Sequence, residues 1–374
     1  MQEISQHLRY LQEEFFPFAE KYIGPYTEKH EHLCQIITFV KPEQFIVRYN
    51  GLVGRPVEDR AAMVRAFIAK AVYNLTTTRA LIDRLQCDPV LSRICGWEKK
   101  NQIPSESTFS RAFAEFANMN IACQLQEECI KEHHSDRLIG HISRDSTAIS
   151  AREKAIKKIK EAPPLKKPKK TGRPNKGTVP TPKELTRLEQ QTNMTLEELL
   201  NDLPTACDVG CKKNSKGYTE SWKGFKLHID TADGDIPISA IITSASVHDS
   251  QVALPLARIT SGKVTYLYEV MDAAYDAQVI RDDIQKAGRV ALIDYNHRSP
   301  NDQREFAPHE KERYKVRSSA ERVNSNLKDN FGGSMIRVRG AIKIFSHLMF
   351  GLLALTIEQT IRLLTPDPTA INSG

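Results

Sequence analysis

The segment Tyr314-Lys315-Val316-Arg317-Ser318-Ser319-Ala320-Glu321-Arg322-Val323-Asn324-Ser325-Asn326-Leu327-Lys328 concentrates side chains able to do chemistry. Wound as a helix at ~100° per residue, it places Tyr314, Arg317, Glu321 and Lys328 within a stripe about 60° wide, with Val316, Ala320, Val323 and Leu327 on the opposite side. One face suits packing against a sheet; the other presents an acid flanked by two cations and a phenol. Taken alone, the polar face is a solvated surface with an Arg317–Glu321 ion pair at i, i+4, worth only ~0.2–0.5 kcal/mol. Two further acids stand beside strand-like runs: Asp145 in Arg144-Asp145-Ser146-Thr147, and Asp272 in Met271-Asp272-Ala273-Ala274-Tyr275-Asp276. Asp249, Asp276 and Asp294 compete with them. Asp249 precedes a helical pattern, where aspartate is a routine N-cap, and Asp276 suits capping the helix that follows it. Asp294 follows the strand-like run 290–293. Cys207-x3-Cys211 with His228 suggests zinc, but no second pair stands at finger-like spacing.

The spacing Y-x2-R-x3-E-x6-K resembles the signature of bacterial insertion-sequence transposases with a DDE catalytic domain of ribonuclease-H-like fold. The run at Asp145 resembles the family's first-aspartate motif, D-S-T after an apolar strand, and the run at Asp272 sits where the second aspartate is expected. Trp222-Lys223-Gly224-Phe225-Lys226-Leu227-His228, Ser246-Val247-His248-Asp249-Ser250 and Arg337-Val338-Arg339-Gly340 resemble blocks that members carry between and after these positions. The resemblance covers residues 145–355, and the helical block 54–116 looks like the N-terminal domain of such enzymes. One departure is visible. Many members have glycine before the tyrosine of the second motif, where this chain has Ala274; that change alters backbone freedom and leaves the carboxylate in place.

The resemblance implies a DNA transposase that binds terminal inverted repeats, cleaves at the element ends and joins the freed 3′-OH to target DNA. Asp145, Asp272 and Glu321 would be its catalytic acids and metal ligands. Both steps are in-line displacements at phosphodiesters, which two metal ions ~3.5–4 Å apart stabilise at the attacking and leaving oxygens. Mg²⁺ prefers carboxylate oxygen and retained waters, and Mn²⁺ is its expected substitute. Arg317 and Lys328 would contact phosphates near the scissile bond, and Tyr314 would stack on a flipped base or bond a phosphate. A catalytically silent DNA-binding descendant, or a nuclease of the same fold without strand transfer, stays open as an alternative.

The elements that must position these residues read as two parts. Residues 57–131 show apolar positions at helical spacing, among them Met63, Phe67, Leu81 and Leu85, with caps expected at Thr76-Thr77-Thr78, Asp88-Pro89 and Pro104-Ser105-Glu106-Ser107. The helix carrying Phe109, Phe113 and Phe116 offers Ser107, Ser110 and Arg111 near its start, as a DNA recognition helix does, although a plain helical bundle fits equally. Strand signals follow at 138–143, 225–229, 236–242, 264–270 and 290–293, with helices at 251–259 and 277–287 and after 314. The expected fold is α/β, α+β overall: a ribonuclease-H-like mixed sheet with flanking helices, preceded by an all-helical domain. The expected division is a helical DNA-binding domain at 1–135, a catalytic domain at 136–365 and a tail at 366–374. A basic, partly disordered insertion at 151–218 contains Lys166, Lys167, Lys169, Lys170 and Arg173, which are expected to meet DNA phosphates. Within it, 181–203 looks helical.

The totals agree with this reading. The chain has 374 residues, 40% hydrophobic and 26% charged, with a net charge of +7, enough for two domains with ordinary cores. Seven cysteines without a regular framework, and an N-terminus lacking the order of a secretory signal, point to a reducing cytoplasm; the transposase resemblance implies association with the nucleoid there. The longest apolar run, 348–357, is about half the ~20 residues that span a bilayer and reads as a buried helix. The resemblance implies DNA as the partner, as element ends and as target, with a dimer in the DNA complex and neither a membrane nor a small-molecule substrate.

Overall fold

The computed structural model describes residues 6, 9–46, 58–156, 185–213, 217–297 and 303–365. The N-terminal part is helical: α1 Phe16–Ile23, α2 Glu28–Val40, α3 Arg60–Val72, α4 Thr78–Cys87, α5 Pro89–Cys95, α6 Glu106–Asn118 and α7 Ile121–His134. Local chemistry sets these boundaries. Thr77 accepts from the Ala80 N–H to start α4, and Asp88 accepts from Leu91 while Pro89 opens α5. Helix α6 begins at Glu106, after Ser105, whose hydroxyl lies against those of Ser107 and Thr108 and caps no backbone N–H.

Phe67 of α3 anchors the helical core. Its ring meets Phe109, Phe113 and Phe116 of α6 at 5.8, 5.0 and 6.1 Å, and Phe350 at 5.7 Å. Phe350 belongs to the long last helix, α14 (Ala341–Leu364), which packs on α3, α6 and α7 and also on the sheet. The apolar run 348–357 is wholly buried within it. By length and apolarity α14 would reach across a bilayer, yet 67% of its most apolar window is inside the protein. The N-terminal helices and α14 therefore share one core.

Six strands form one mixed sheet: β1 Leu138–Ser150, β2 Asp208–Lys213, β3 Thr219–Ala232, β4 Ile236–Ser244, β5 Thr265–Met271 and β6 Val290–Ile293. The order is β2-β3-β1-β5-β6, with β4 also paired to β3. Strand β1 runs antiparallel to β3 and parallel to β5, and β5 is parallel to β6. The free edge of β3 is divided: residues 219–224 pair with β2, and 225–232 pair with β4. Gly224 sits at that division with φ +151°, where a Cβ would come within 2.0 Å of the Ile149 carbonyl oxygen. Only glycine fits there, which accounts for it in the Trp222–His228 block.

Two elements differ from the sequence expectation. Strand β1 continues to Ser150, well past 143, so Asp145 lies within it. Strand β2, with the polar sequence Asp208-Val209-Gly210-Cys211-Lys212-Lys213, comes from the stretch read as an insertion and gave no alternation to detect. Its hydrogen bonds to β3 specify it. The helical character expected at 181–203 appears as α8 Arg187–Gln191 and α9 Leu196–Asp202, started by Thr186 and Thr195 with reciprocal bonds to Glu189 and Glu198. The remaining helices are α10 Ala253–Ser261, α11 Gln278–Lys286, α12 Pro308–Tyr314 and α13 Ser318–Asn330.

Candidate active site

The parallel pairing of β1 and β5 ends at Arg144↔Met271. The next residue on each strand is an acid, so register alone sets Asp145 beside Asp272 at the carboxyl ends of the paired segments. Asp272 accepts from the Ala274 N–H at 3.0 Å and thereby caps a 3-10 turn, Ala273–Tyr275. Ala274 is not among the residues with positive φ, so the usual glycine is not needed at this position. On the other face of β1, Arg144 is buried in a fork with Asp230 (Nε–Oδ1 2.7 Å, Nη2–Oδ2 2.8 Å) and donates to Glu269 at 3.0 Å. This network ties β1, β3 and β5 together directly behind Asp145. The sequence signal for it was a charged residue within an apolar strand, which must find a counter-charge when buried.

The glutamate segment is not one continuous helix. Helix α12 ends at Tyr314, a 3-10 turn spans Lys315–Arg317, and α13 starts at Ser318. The hydroxyl of Ser143 on β1 donates to the Val316 carbonyl at 3.2 Å and holds that turn against the sheet. Ala320, Val323 and Leu327 are buried as the periodicity expected, while Glu321 is 56% exposed. Arg317 links the three acids: Nη1 donates to Glu321 Oε1 at 2.6 Å, and Nη2 lies 3.9 Å from Asp145 Oδ1 and 3.8 Å from Asp272 Oδ2. Asn324 was missed from sequence, having no charge to draw notice. Its Nδ2 donates to Asp145 Oδ2 at 3.0 Å, and its own Oδ1 is buried without a partner.

Burial pushes the Asp145 carboxyl up to about 6; Arg317 opposes that shift, and Asp272 adds to it. Burial likewise raises Asp272, against its bond from Ala274 and the charge of Arg317. Tyr314 is half-buried against Phe306, with ring centroids 4.9 Å apart, and burial raises its hydroxyl to about 12. Lys328 is half-buried, and burial followed by the charge of Lys212 lowers its ammonium pKa.

The rival acids have other partners. Asp249 does not cap a helix. His248 takes that place, accepting from Ser250, while Asp249 accepts from the Lys226 ammonium at 2.9 Å. Asp276 is not a cap either: Arg281 and the Asn296 N–H hold it, and Ala277 precedes α11. Asp294 continues the sheet, its N–H donating to the Met271 carbonyl and its carboxylate accepting from Tyr295. Cys207 is buried, Cys211 is exposed, and His228 bonds Thr243 through Nε2 at 3.0 Å. Among the described residues, no three His, Cys, Asp or Glu side chains group closely enough to hold a metal ion as they stand. The three acids gather around the guanidinium of Arg317 instead.

Ser107, Ser110 and Arg111 are exposed on the first turns of α6, with Arg111 Nε donating to the Ser107 carbonyl at 3.3 Å. Lys166, Lys167, Lys169, Lys170 and Arg173 lie outside the described residues.

A mixed sheet with two acids where the parallel pairing of adjacent strands ends, and a third on a helix packed across them, defines the class: a ribonuclease-H-like domain of the DDE type. Comparison with protein families agrees. The model described as Transposase DDE domain matches residues 145–357, more than half of the chain, and Transposase domain (DUF772) matches residues 23–115. Neither the curated proteins nor the solved structures provide a match. The chain belongs to the DDE transposase family. By class it is a DNA-acting enzyme of a family that uses divalent metal ions.

Proposed function

We propose that this protein binds the terminal inverted repeats of a mobile element, cleaves at the element ends and transfers the freed strands into target DNA. One observation supports the reading above others: Asp145, Asp272 and Glu321, from two strands and a helix far apart in sequence, all face the single guanidinium of Arg317. Carboxylates gathered around a cation form a hard oxygen donor set, which suits Mg²⁺, or Mn²⁺ in its place. The orphaned Asn324 Oδ1 beside them is one more oxygen with no protein partner. Asp145, Asp272 and Glu321 would together hold the ions. Bound there, the ions supply Lewis acidity at the attacking and leaving oxygens.

The residues around the acids divide the rest of the work. Asn324 and the Arg144 fork hold Asp145 at a fixed angle. Arg317 and Lys328 take phosphate oxygens flanking the scissile bond, Arg317 by its fork and Lys328 as a point charge. Tyr314 keeps one ring face on Phe306 and offers its hydroxyl to a phosphate. Recognition of the ends falls to the exposed start of α6, through Ser107, Ser110 and Arg111. Two element ends must meet before transfer, so the working unit on DNA is a dimer, acting at the nucleoid in the cytoplasm.

Incubating the full chain with a duplex carrying an element end, a target plasmid and Mg²⁺ tests the reading. A free 3′ end followed by its covalent joining to the plasmid is expected; cleavage without joined product would reduce the protein to a nuclease, and neither product would overturn the reading. The lysines of the basic stretch are assigned to sequence-independent phosphate contacts. Replacing Lys166, Lys167, Lys169 and Lys170 by Gln should flatten the slope of log K against log salt by ~0.9 per lost contact, with preference for end DNA retained. An unchanged slope would show that these lysines do not touch phosphate.

A further inference from the structure

Arg317 holds a position that a divalent ion cannot share. Its Nη1 engages Glu321 Oε1 at 2.6 Å, and its Nη2 faces Asp145 and Asp272 at 3.9 and 3.8 Å. A planar guanidinium keeps carboxylate oxygens nearly 3 Å from its nitrogens, whereas Mg²⁺ draws them to ~2.0–2.1 Å. As they stand, with the guanidinium among them, the acids form no group that could hold a metal ion. A dication drawn in among them would also lie within a few ångströms of the guanidinium, in a half-buried place where like charges repel strongly. Two features let the side chain move while the backbone stays. Ser143 pins the 3-10 turn through the Val316 carbonyl, and Arg317 Nε is buried with no hydrogen-bond partner to anchor it.

We infer that Arg317 is the internal counter-ion of the metal-free site: it competes with divalent ions for Asp145, Asp272 and Glu321, and leaves them when an ion binds. This rests on the assignment of the three acids as metal ligands. The released guanidinium becomes available to a DNA phosphate, and a phosphate that accepts it frees the acids in turn. Ion and DNA therefore favour each other's binding, and the coupling is reciprocal. Without DNA, Arg317 stays on the acids and the ion is weakly held.

Mn²⁺ titration of the full chain without DNA, following free Mn²⁺ by its electron paramagnetic resonance signal, tests the inference without measuring activity. Arg317→Gln should bind Mn²⁺ at least ~tenfold tighter than the unaltered protein, about 1.4 kcal/mol. Arg317→Lys, which keeps one charge but cannot bridge, should fall between them and serves if the glutamine variant does not fold. Arg322→Gln is the control for net charge, because Arg322 adjoins Glu321 in sequence yet its guanidinium lies on Asp235 at 2.7 Å; its Mn²⁺ affinity should stay near that of the unaltered chain. Equal affinity in the unaltered protein and the Arg317 variants would overturn the competition and leave the acids as ligands. Equal tightening in Arg317→Gln and Arg322→Gln would overturn it in favour of a general field effect. Binding of no Mn²⁺ by any of them would remove the metal assignment and the inference together.

Discussion

Asp145→Asn, Asp272→Asn and Glu321→Gln should each lower cleavage at element ends by at least ~10³-fold while leaving affinity for end DNA nearly unchanged. The size follows from the chemistry: stabilisation of phosphoryl oxygens by a metal ion is worth several kcal/mol, and every 1.36 kcal/mol is tenfold in rate. The sparing of affinity follows from the architecture. The exposed start of α6 lies on the N-terminal helices, and none of the three acids contributes to the Phe67 cluster that holds them. Single-turnover cleavage with saturating enzyme, beside an equilibrium binding curve, separates the two effects. Cleavage by Glu321→Gln at an undiminished rate would remove Glu321 from the set.

The same substitution at Asp145 should stabilise the metal-free protein. Burial raises this carboxyl from an ordinary 3.8 to about 6, so the folded chain holds its proton to higher pH than the unfolded chain does. Its contribution to stability is fully present below pH ~4 and is lost as pH rises through about 6. At pH 7.5 the charged carboxylate therefore costs on the order of 2–3 kcal/mol, a cost that asparagine does not carry. Asp145→Asn should be more stable than the unaltered chain by roughly 2 kcal/mol at pH 7.5 with chelator present, and the gain should fade towards pH 4. Urea unfolding at the two pH values measures it. A gain of equal size at both would trace the effect to packing rather than charge. Together the two expected results would describe a site that sacrifices stability for chemistry, with two carboxyls raised by burial where the proposed cation binds.

How much of this was legible in the sequence depended on the kind of signal. The face of α13 was readable because helical periodicity is local, and the burial of Ala320, Val323 and Leu327 follows from it. The interruption of the helix at Lys315–Arg317 was not, because the bond from Ser143 that holds it comes from a strand more than 170 residues away. The placement of Asp145 beside Asp272 rests on parallel register, which pairing fixes and composition does not. Strand β2 carries too few apolar residues to show a period. Asn324 became visible only once Asp145 was set against α13. Asp249 looked like a cap because of its place before a helical run, but the ammonium of Lys226 offered it a charge-assisted bond, and His248 took the cap.

The most direct test is to locate the ion. Crystals of the protein bound to an end duplex and soaked in Mn²⁺ would show the metal by its anomalous scattering. The expected result is density held by Asp145 with Asp272 and Glu321, with the Arg317 guanidinium turned away onto a phosphate. Density centred on Asp249, Asp276 or Asp294, or a guanidinium still on Glu321 beside a bound ion, would contradict it.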